Sequence, residues 1–390
     1  MILNSKPLVE NIPEINGVKI ESESDILPLL NDGNVEMEEA LLKATSEYRL
    51  KLGEHMKLDH VLFLFGNGAS IYAGSKDTKE FHISDIIKDA RYEPIYEVIK
   101  SVDGLGMEEQ LNRLIIIRAF FNITNNEGEP LVTQLIEDIK AQLINNFVNS
   151  IDYRKLTYHQ MLIYKLRNYG CLPRTKIFTT NYDLAFEHSL DALSVDYTDG
   201  FTGFVNRQFD PRTLSNSTKA TLIKIHGSVN WVEEETKIKE LQPRFKDGQA
   251  CIDDTKPVLI YPTSSKLYQT YTTPYSELMR YMLDEMVTER NVILVMGYKY
   301  GDEHINEILY KALQNPQNVF YFFQYGEAKG CDFIDRMIQL SESMPNINVI
   351  SGKILASFNW FVKFLLPAIP EKSDEERALE LLQKVLVKHE

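Results

Sequence analysis

His226 stands in the stretch IKIHGSVNW, where an apolar run ends in an imidazole followed at once by Gly227 and Ser228. Imidazole is the side chain best matched to proton transfer near neutral pH, and the two small residues leave space beside it and permit a sharp turn. A hydrogen-bonded structural histidine at a strand end is the competing reading. The run FTTNYD offers Thr180, Asn181 and Asp183. Asp183 suits the cap of a helix starting near Leu184. One cap needs one side chain, which leaves Asn181 over; its amide carries a donor and an acceptor together, the combination that suits a sugar hydroxyl or another amide. In VLFLFGNGAS, Gly66, Gly68, Ala69 and Ser70 end an apolar run. They read either as a tight turn or as a loop whose bare backbone approaches a pyrophosphate at the start of a helix, although the full G-x-G-x-x-G fingerprint is absent. In VMGYKYGDEHIN, Gly297 permits close approach of a ligand beside Tyr298, and Asp302 is a natural N-cap for a helix bearing Ile305, Ile308, Leu309, Ala312 and Leu313. His304 falls in the first turn of that helix, as a structural residue or a metal ligand, with no second histidine at a supporting spacing.

Each of these clusters follows a short apolar run, so strands must position them. Runs at 61–65, 175–181, 220–228, 256–263, 291–298, 318–326 and 346–352 alternate with helical stretches. Buried strands alternating with helices imply an α/β fold: a Rossmann-like, mostly parallel sheet flanked by helices. In such a sheet ligands sit beyond the carboxyl ends of the strands, and parallel strands would bring the clusters to one rim. The segment 76–171 reads as an inserted all-helical subdomain, with Val132, Leu135, Ile136, Ile139, Leu143 and Phe147 along one face. The division expected is an N-terminal segment 1–57, irregular to about residue 34 and then helical over 35–52; a core of 58–75 and 172–370; the insert; and an amphipathic helix over 371–390. The stretch KLYQTYTTPYSELMRYML suits a flexible lid.

A net charge of −14 argues against direct binding of nucleic acid, which needs a basic footprint. The three cysteines, Cys171, Cys251 and Cys331, are far apart and form no C-x-x-C pair, so no zinc tetrad and no metal are expected. Sparse cysteines, no signal-like start and no apolar run of membrane-spanning length lead to the expectation of a cytoplasmic protein without membrane contact.

Taken together, the motifs resemble those of the sirtuin superfamily. Gly66-Asn67-Gly68-Ala69-Ser70 is similar to the family's G-A-G-x-S loop, Thr179-Thr180-Asn181-Tyr182-Asp183 to its T-Q-N-I-D motif, His226-Gly227-Ser228 to the segment with its catalytic histidine, and Gly297-Tyr298 to its G-T-S segment. The order and strand context agree over roughly 58–75 and 172–352. No P-D-F-R follows the glycine loop, and no zinc-binding cysteines follow His226; both belong to protein deacylases. TTNYD and GYKYGDEHIN look instead like the sirtuin-like proteins of bacterial antiphage defence. That resemblance implies NAD as substrate, hydrolysed to nicotinamide and ADP-ribose, with NAD depletion after infection. It implies that Gly66, Gly68, Ala69 and Ser70 hold the pyrophosphate, assisted by a helix dipole. Asn181 positions the ribose hydroxyls or the water, Asp183 contacts the carboxamide or orders the loop, and His226 is the general base toward a ribose hydroxyl or water. Gly297 and Tyr298 border the adenosine half, with Thr180, Gly227, Ser228 and Asp302 completing the binding set. The partners implied are a HerA-type ring ATPase or, alternatively, an argonaute. The tail stripe of Ala378, Leu381, Leu382, Val385 and Leu386, behind a capping box of Ser373 and Glu376, docks on its own domain or serves a homo-oligomer or partner contact. A protein deacylase and a non-catalytic sensor of NAD or ADP-ribose are the alternative functions.

Overall fold

Runs such as HVLFLF and NVILVM can be buried only if both of their faces are covered. The computed structural model describes residues 23–76, 84–105, 107–214, 219–252, 257–260, 270–327 and 331–367, with four two-residue strands ahead of them. Seven parallel strands form the central sheet: β1 (His60–Phe65), β2 (Thr175–Thr179), β3 (Tyr197–Thr198), β4 (Ala220–Lys224), β5 (Asn291–Met296), β6 (Val319–Tyr325) and β7 (Ile347–Gly352). Their order is β7-β6-β5-β1-β2-β4-β3. The chain leaves β1 toward β2 on one side and β5 toward β6 on the other. The reversal therefore lies between β1 and β5, and the crevice at such a point is where this architecture binds ligands.

Between β1 and β2 the chain makes a helical excursion dominated by α1 (Met107–Ile123) and α2 (Glu129–Ser150). Val132, Leu135, Ile136, Ile139 and Leu143 of α2 pack with Ile87, Leu114 and Phe121 in a core of their own. The excursion is tied back where Asp152 donates its N–H to the Ala73 carbonyl at 2.9 Å and Tyr153 donates to Gly248 at 2.8 Å.

The two faces of the sheet follow the alternation of the strands. Val61, Phe63 and Phe65 face a core built with α3 (Thr157–Asn168) and α4 (Ala185–Ala192). Leu62 and Leu64 face α5 (Tyr275–Thr288), α6 (Glu303–Ala312) and α7 (Asp332–Ser341). No helix among the described residues is long and apolar enough to cross a membrane.

Several expectations need correction. The first residues are not irregular throughout: Ile2–Leu3 pairs antiparallel with β7, and Glu23–Asn31 is helical. An edge pairing depends on a partner far along the chain, Ile2 opposite Ser351, which local composition does not reveal. The helix expected over 35–52 is two helices parted at Thr45, whose hydroxyl donates to Leu41 at 2.7 Å and to Phe364 at 3.0 Å. The run 220–228 serves two sheets: β4 ends at Lys224, and Gly227–Glu234 opens an antiparallel sheet with Lys237–Glu240 and Pro257–Leu259. The described part of the 256–263 run, Pro257–Leu259, thus joins the antiparallel sheet and not the parallel one. Tyr275, Leu278 and Met282 of the expected lid are core residues of α5, while 261–269 and the 371–390 helix lie outside the described residues.

Candidate active site

The glycine loop after β1 meets the loop after β5 backbone against backbone. Gly66 donates its N–H to Met296 at 3.1 Å and Gly68 to Gly297 at 3.0 Å. A Cβ on Gly66 would stand 2.5 Å from the Gly297 oxygen, and one on Gly68 2.5 Å from the Gly297 Cα. Gly297 itself sits at φ +67, with a hypothetical Cβ 2.7 Å from the Ala69 nitrogen. This crossing, before any ligand, requires three glycines. The expected helix does not follow: Asn67–Ala69 and Ile71–Ala73 are single 3-10 turns, closed by Gly74 at φ +106. Turns this short do not sum peptide dipoles as a helix does, so that contribution to anion binding is withdrawn.

Beyond β2, Thr180 donates its N–H to Phe65 at 3.0 Å, fixing this loop to the end of β1. Asn181 is buried, and its Nδ2 donates to the Ser70 hydroxyl at 3.2 Å. Its Oδ1 is buried with no hydrogen-bond partner among the described residues. An acceptor left this way costs about 1–3 kcal/mol. Asp183 accepts the Ala185 N–H at 2.9 Å in a turn ahead of α4, but the cap position itself falls to Leu184 and carries no side-chain capping bond, so the expected capping role is not what its side chain performs. Beneath the loop, buried Lys224 donates to the Tyr182 carbonyl at 3.1 Å, also to the Asp183 carbonyl, and pairs with Glu187 at 3.0 Å. Burial raises the Glu187 carboxyl above its ordinary range against the pull of Lys224.

Beyond β4, Ile225 donates to Thr179 at 2.9 Å, and Val229 donates to Tyr182 at 3.1 Å, so the 226 turn lies alongside the 181 loop. Gly227 at φ +88 makes that turn, with a hypothetical Cβ only 2.1 Å from the Val258 oxygen. Ser228 donates to Asn230 Oδ1 at 2.7 Å. The buried His226 ring places its Nε2 3.3 Å from Nε2 of His304. The sequence placed His304 in the first turn of this helix as a structural residue or metal ligand, but not beside His226, because the two lie 78 positions apart. Tyr298 turns into the core, where its hydroxyl accepts the Asp302 N–H and donates to the Asp302 carbonyl, each at 3.1 Å. Its contact with a ligand is therefore confined to backbone. Asp302 holds the N-cap position of α6 without a side-chain capping bond.

The four loops thus form one connected rim. The glycine loop is bonded to Gly297 and Asn181, the 181 loop runs beside the 226 turn, and His226 meets α6. Residues 175–341 match the family model described as a SIR2-like domain. The SIR2-like match begins at β2 and ends with α7, so it takes in Asn181, Asp183, His226, Gly297 and His304, while the glycine loop precedes it. It supports placement in the sirtuin-like superfamily, whose SIR2-like members include enzymes that use NAD. No curated protein matches the sequence. Among the described residues, no group of three or more His, Cys, Asp or Glu side chains is arranged to hold a metal ion.

Proposed function

We propose that the chain is an NAD glycohydrolase that cleaves NAD to nicotinamide and ADP-ribose. The observation that carries this reading is the unpartnered, buried Oδ1 of Asn181, an acceptor suited to a sugar hydroxyl, on the same rim as the His226 imidazole. The bond broken joins the ribose C1′ to the nicotinamide nitrogen. Its electron pair leaves with nicotinamide, which departs neutral, and the ribose passes through an oxocarbenium-like state. Water adds at C1′ and yields its proton to His226. Asn181 orients the ribose hydroxyls or that water, Asp183 orders the loop by accepting the Ala185 N–H, and the glycine loop with Ser70 takes the pyrophosphate side.

The missing P-D-F-R and zinc cysteines favour hydrolysis over deacylation. The resemblance of TTNYD and GYKYGDEHIN to antiphage sirtuin-like proteins supports NAD depletion as the biological role, in a homo-oligomer working with a HerA-type ring ATPase. The deciding experiment mixes the pure chain with NAD, alone, with a HerA-type partner, and with an acetylated peptide, and follows nicotinamide and ADP-ribose by chromatography. Peptide-independent release that disappears in His226→Ala is the expected result. Release only with acetyl-peptide would establish a deacylase. Binding of NAD without release in every arm would establish a sensor.

A further inference from the structure

We infer that Asn230 is a positioning residue for His226, acting through the hydroxyl of Ser228. This role rests on the NAD hydrolysis reading and moves Ser228 from ligand contact to strut. The directions of the hydrogen bonds follow one from another. The Leu241 carbonyl can only accept, so the Asn230 amide nitrogen faces it, at 3.1 Å. The same nitrogen reaches Glu240 Oε1 at 3.2 Å, which uses its second hydrogen. Asn230 Oδ1 is thereby turned to the Ser228 hydroxyl at 2.7 Å, and an amide oxygen there accepts. The one hydroxyl hydrogen of Ser228 therefore lies on Asn230. The Tyr182 carbonyl, 3.5 Å from Ser228 Oγ, is the more distant acceptor and already takes the Val229 N–H and Lys224. Ser228 is fully buried and has no hydrogen left for a phosphate.

The bond falls where the sheet itself gives least support. Gly227, at φ +88, is the bend between the imidazole and the strand Gly227–Glu234, and Ser228 is the first side chain after it. Residues 228–230 lie between the registered pairs on both flanks. Trp231 is the first to pair, with Glu240, and the pairing with Pro257–Leu259 skips from Gly227 to Val232. The ladders thus leave this stretch to loop and side-chain bonds. Asn230 grips Leu241 twice, since its own carbonyl also accepts the Leu241 N–H at 2.7 Å. Glu240 continues the line to Arg207, which reaches Asp199 at 2.7 Å. A buried polar network with its hydrogens placed holds one geometry. For His226 that means a fixed backbone origin, and a displacement of about 1 Å at a reacting group can cost about 10²-fold in rate.

Kinetics and one spectroscopic readout test it on the full chain. Asn230→Leu and Ser228→Ala each break the bond, and Ser228→Thr keeps the hydroxyl. The expected result is a kcat for NAD hydrolysis lower by at least about 10-fold in Asn230→Leu and in Ser228→Ala, with KM within about threefold. The double variant should fall no further than either single one, and Ser228→Thr should recover most of the rate. In the 15N spectrum of histidine-labelled chain, the His226 ring signals should move in Asn230→Leu and in Ser228→Ala alike. A raised KM with unchanged kcat in Ser228→Ala would make Ser228 a ligand contact and overturn the inference. Losses that multiply in the double variant, or an unchanged kcat in Asn230→Leu while His226→Ala is inactive, overturn it as well. Should Asn230→Leu not fold, the comparison of Ser228→Ala with Ser228→Thr decides. If the wild type releases no nicotinamide, or His226→Ala still does, the hydrolase reading falls instead. The ring signals then decide: unmoved in Asn230→Leu and Ser228→Ala, they end the positioning role.

Discussion

Asn181 carries an imbalance that separates function from stability. Its Nδ2 is satisfied by Ser70, while its Oδ1 is buried without a partner. Removing such an acceptor relieves a desolvation cost that the free protein bears, so Asn181→Ala should unfold in urea within about 1 kcal/mol of the wild type. The same substitution removes the group that positions the sugar, and nicotinamide release should fall by at least about 10²-fold. Loss of activity accompanied by collapse of the unfolding midpoint would mark Asn181 as a structural residue. At this scale much was legible: TTNYD exposed Asn181 as a side chain beyond the need for one cap, and HGS exposed His226. His304 was legible as a first-turn residue, structural or metal-binding, but its proximity to His226 was not, because the two lie 78 positions apart. The glycines were legible as glycines but not for their cause, since only the folded crossing shows Gly297 backbone filling the space where their side chains would be.

At the scale of elements, that crossing joins β1 to β5 backbone against backbone. Gly297→Ala must place a side chain at φ +67 and drive Cβ against the Ala69 nitrogen. The left-handed conformation alone costs about 1–2 kcal/mol, and the contact adds to it. The urea midpoint should drop accordingly, and NAD turnover should fall further because the glycine loop must move. A neutral outcome in both measurements would show that the loops are not held by this contact. The antiparallel sheet gives a different prediction. Arg207 lies between two buried carboxylates, donating to Asp199 at 2.7 Å and also to Glu240, whose Oε1 accepts from Asn230 at 3.2 Å. Burial, then the Asp199 charge, pushes the Glu240 carboxyl up to about 8, against the pull of Arg207. A carboxyl whose value is raised on folding contributes stability below its ordinary 4.5, and that contribution is lost as pH rises through the folded value. The melting temperature should therefore decline between about pH 4.5 and 8, and Glu240→Gln, which mimics the protonated form, should flatten the decline. An equal decline in the variant would assign the effect to another group. Neither this sheet nor its buried charges was legible, because ATLIKIHGS reads as one strand and its division between two sheets is a tertiary event.

The whole molecule has separate interiors. The residues that pack α1 on α2 belong to a core distinct from those on either face of the sheet, although the excursion returns to the Rossmann body through Asp152 and Ala73, close behind the glycine loop. The stripe on α2 was readable because its period is local, whereas the attachment of the excursion was not, because it is made by backbone groups and by Ile151, Tyr153 and Leu156 packing on Leu184 and Val229 from distant segments. A separate core opens separately when few apolar contacts cross the boundary. Leu135 is fully buried in the α1–α2 core, and its truncation to alanine removes about 2–5 kcal/mol through lost burial and the cavity left behind. Hydrogen exchange followed by mass spectrometry on Leu135→Ala should show faster exchange across α1 and α2, with protection in β1 and β5 unchanged. If the return through Ala73 couples the parts more strongly than their cores suggest, β1 would lose protection together with α2, and the molecule would unfold as one cooperative unit.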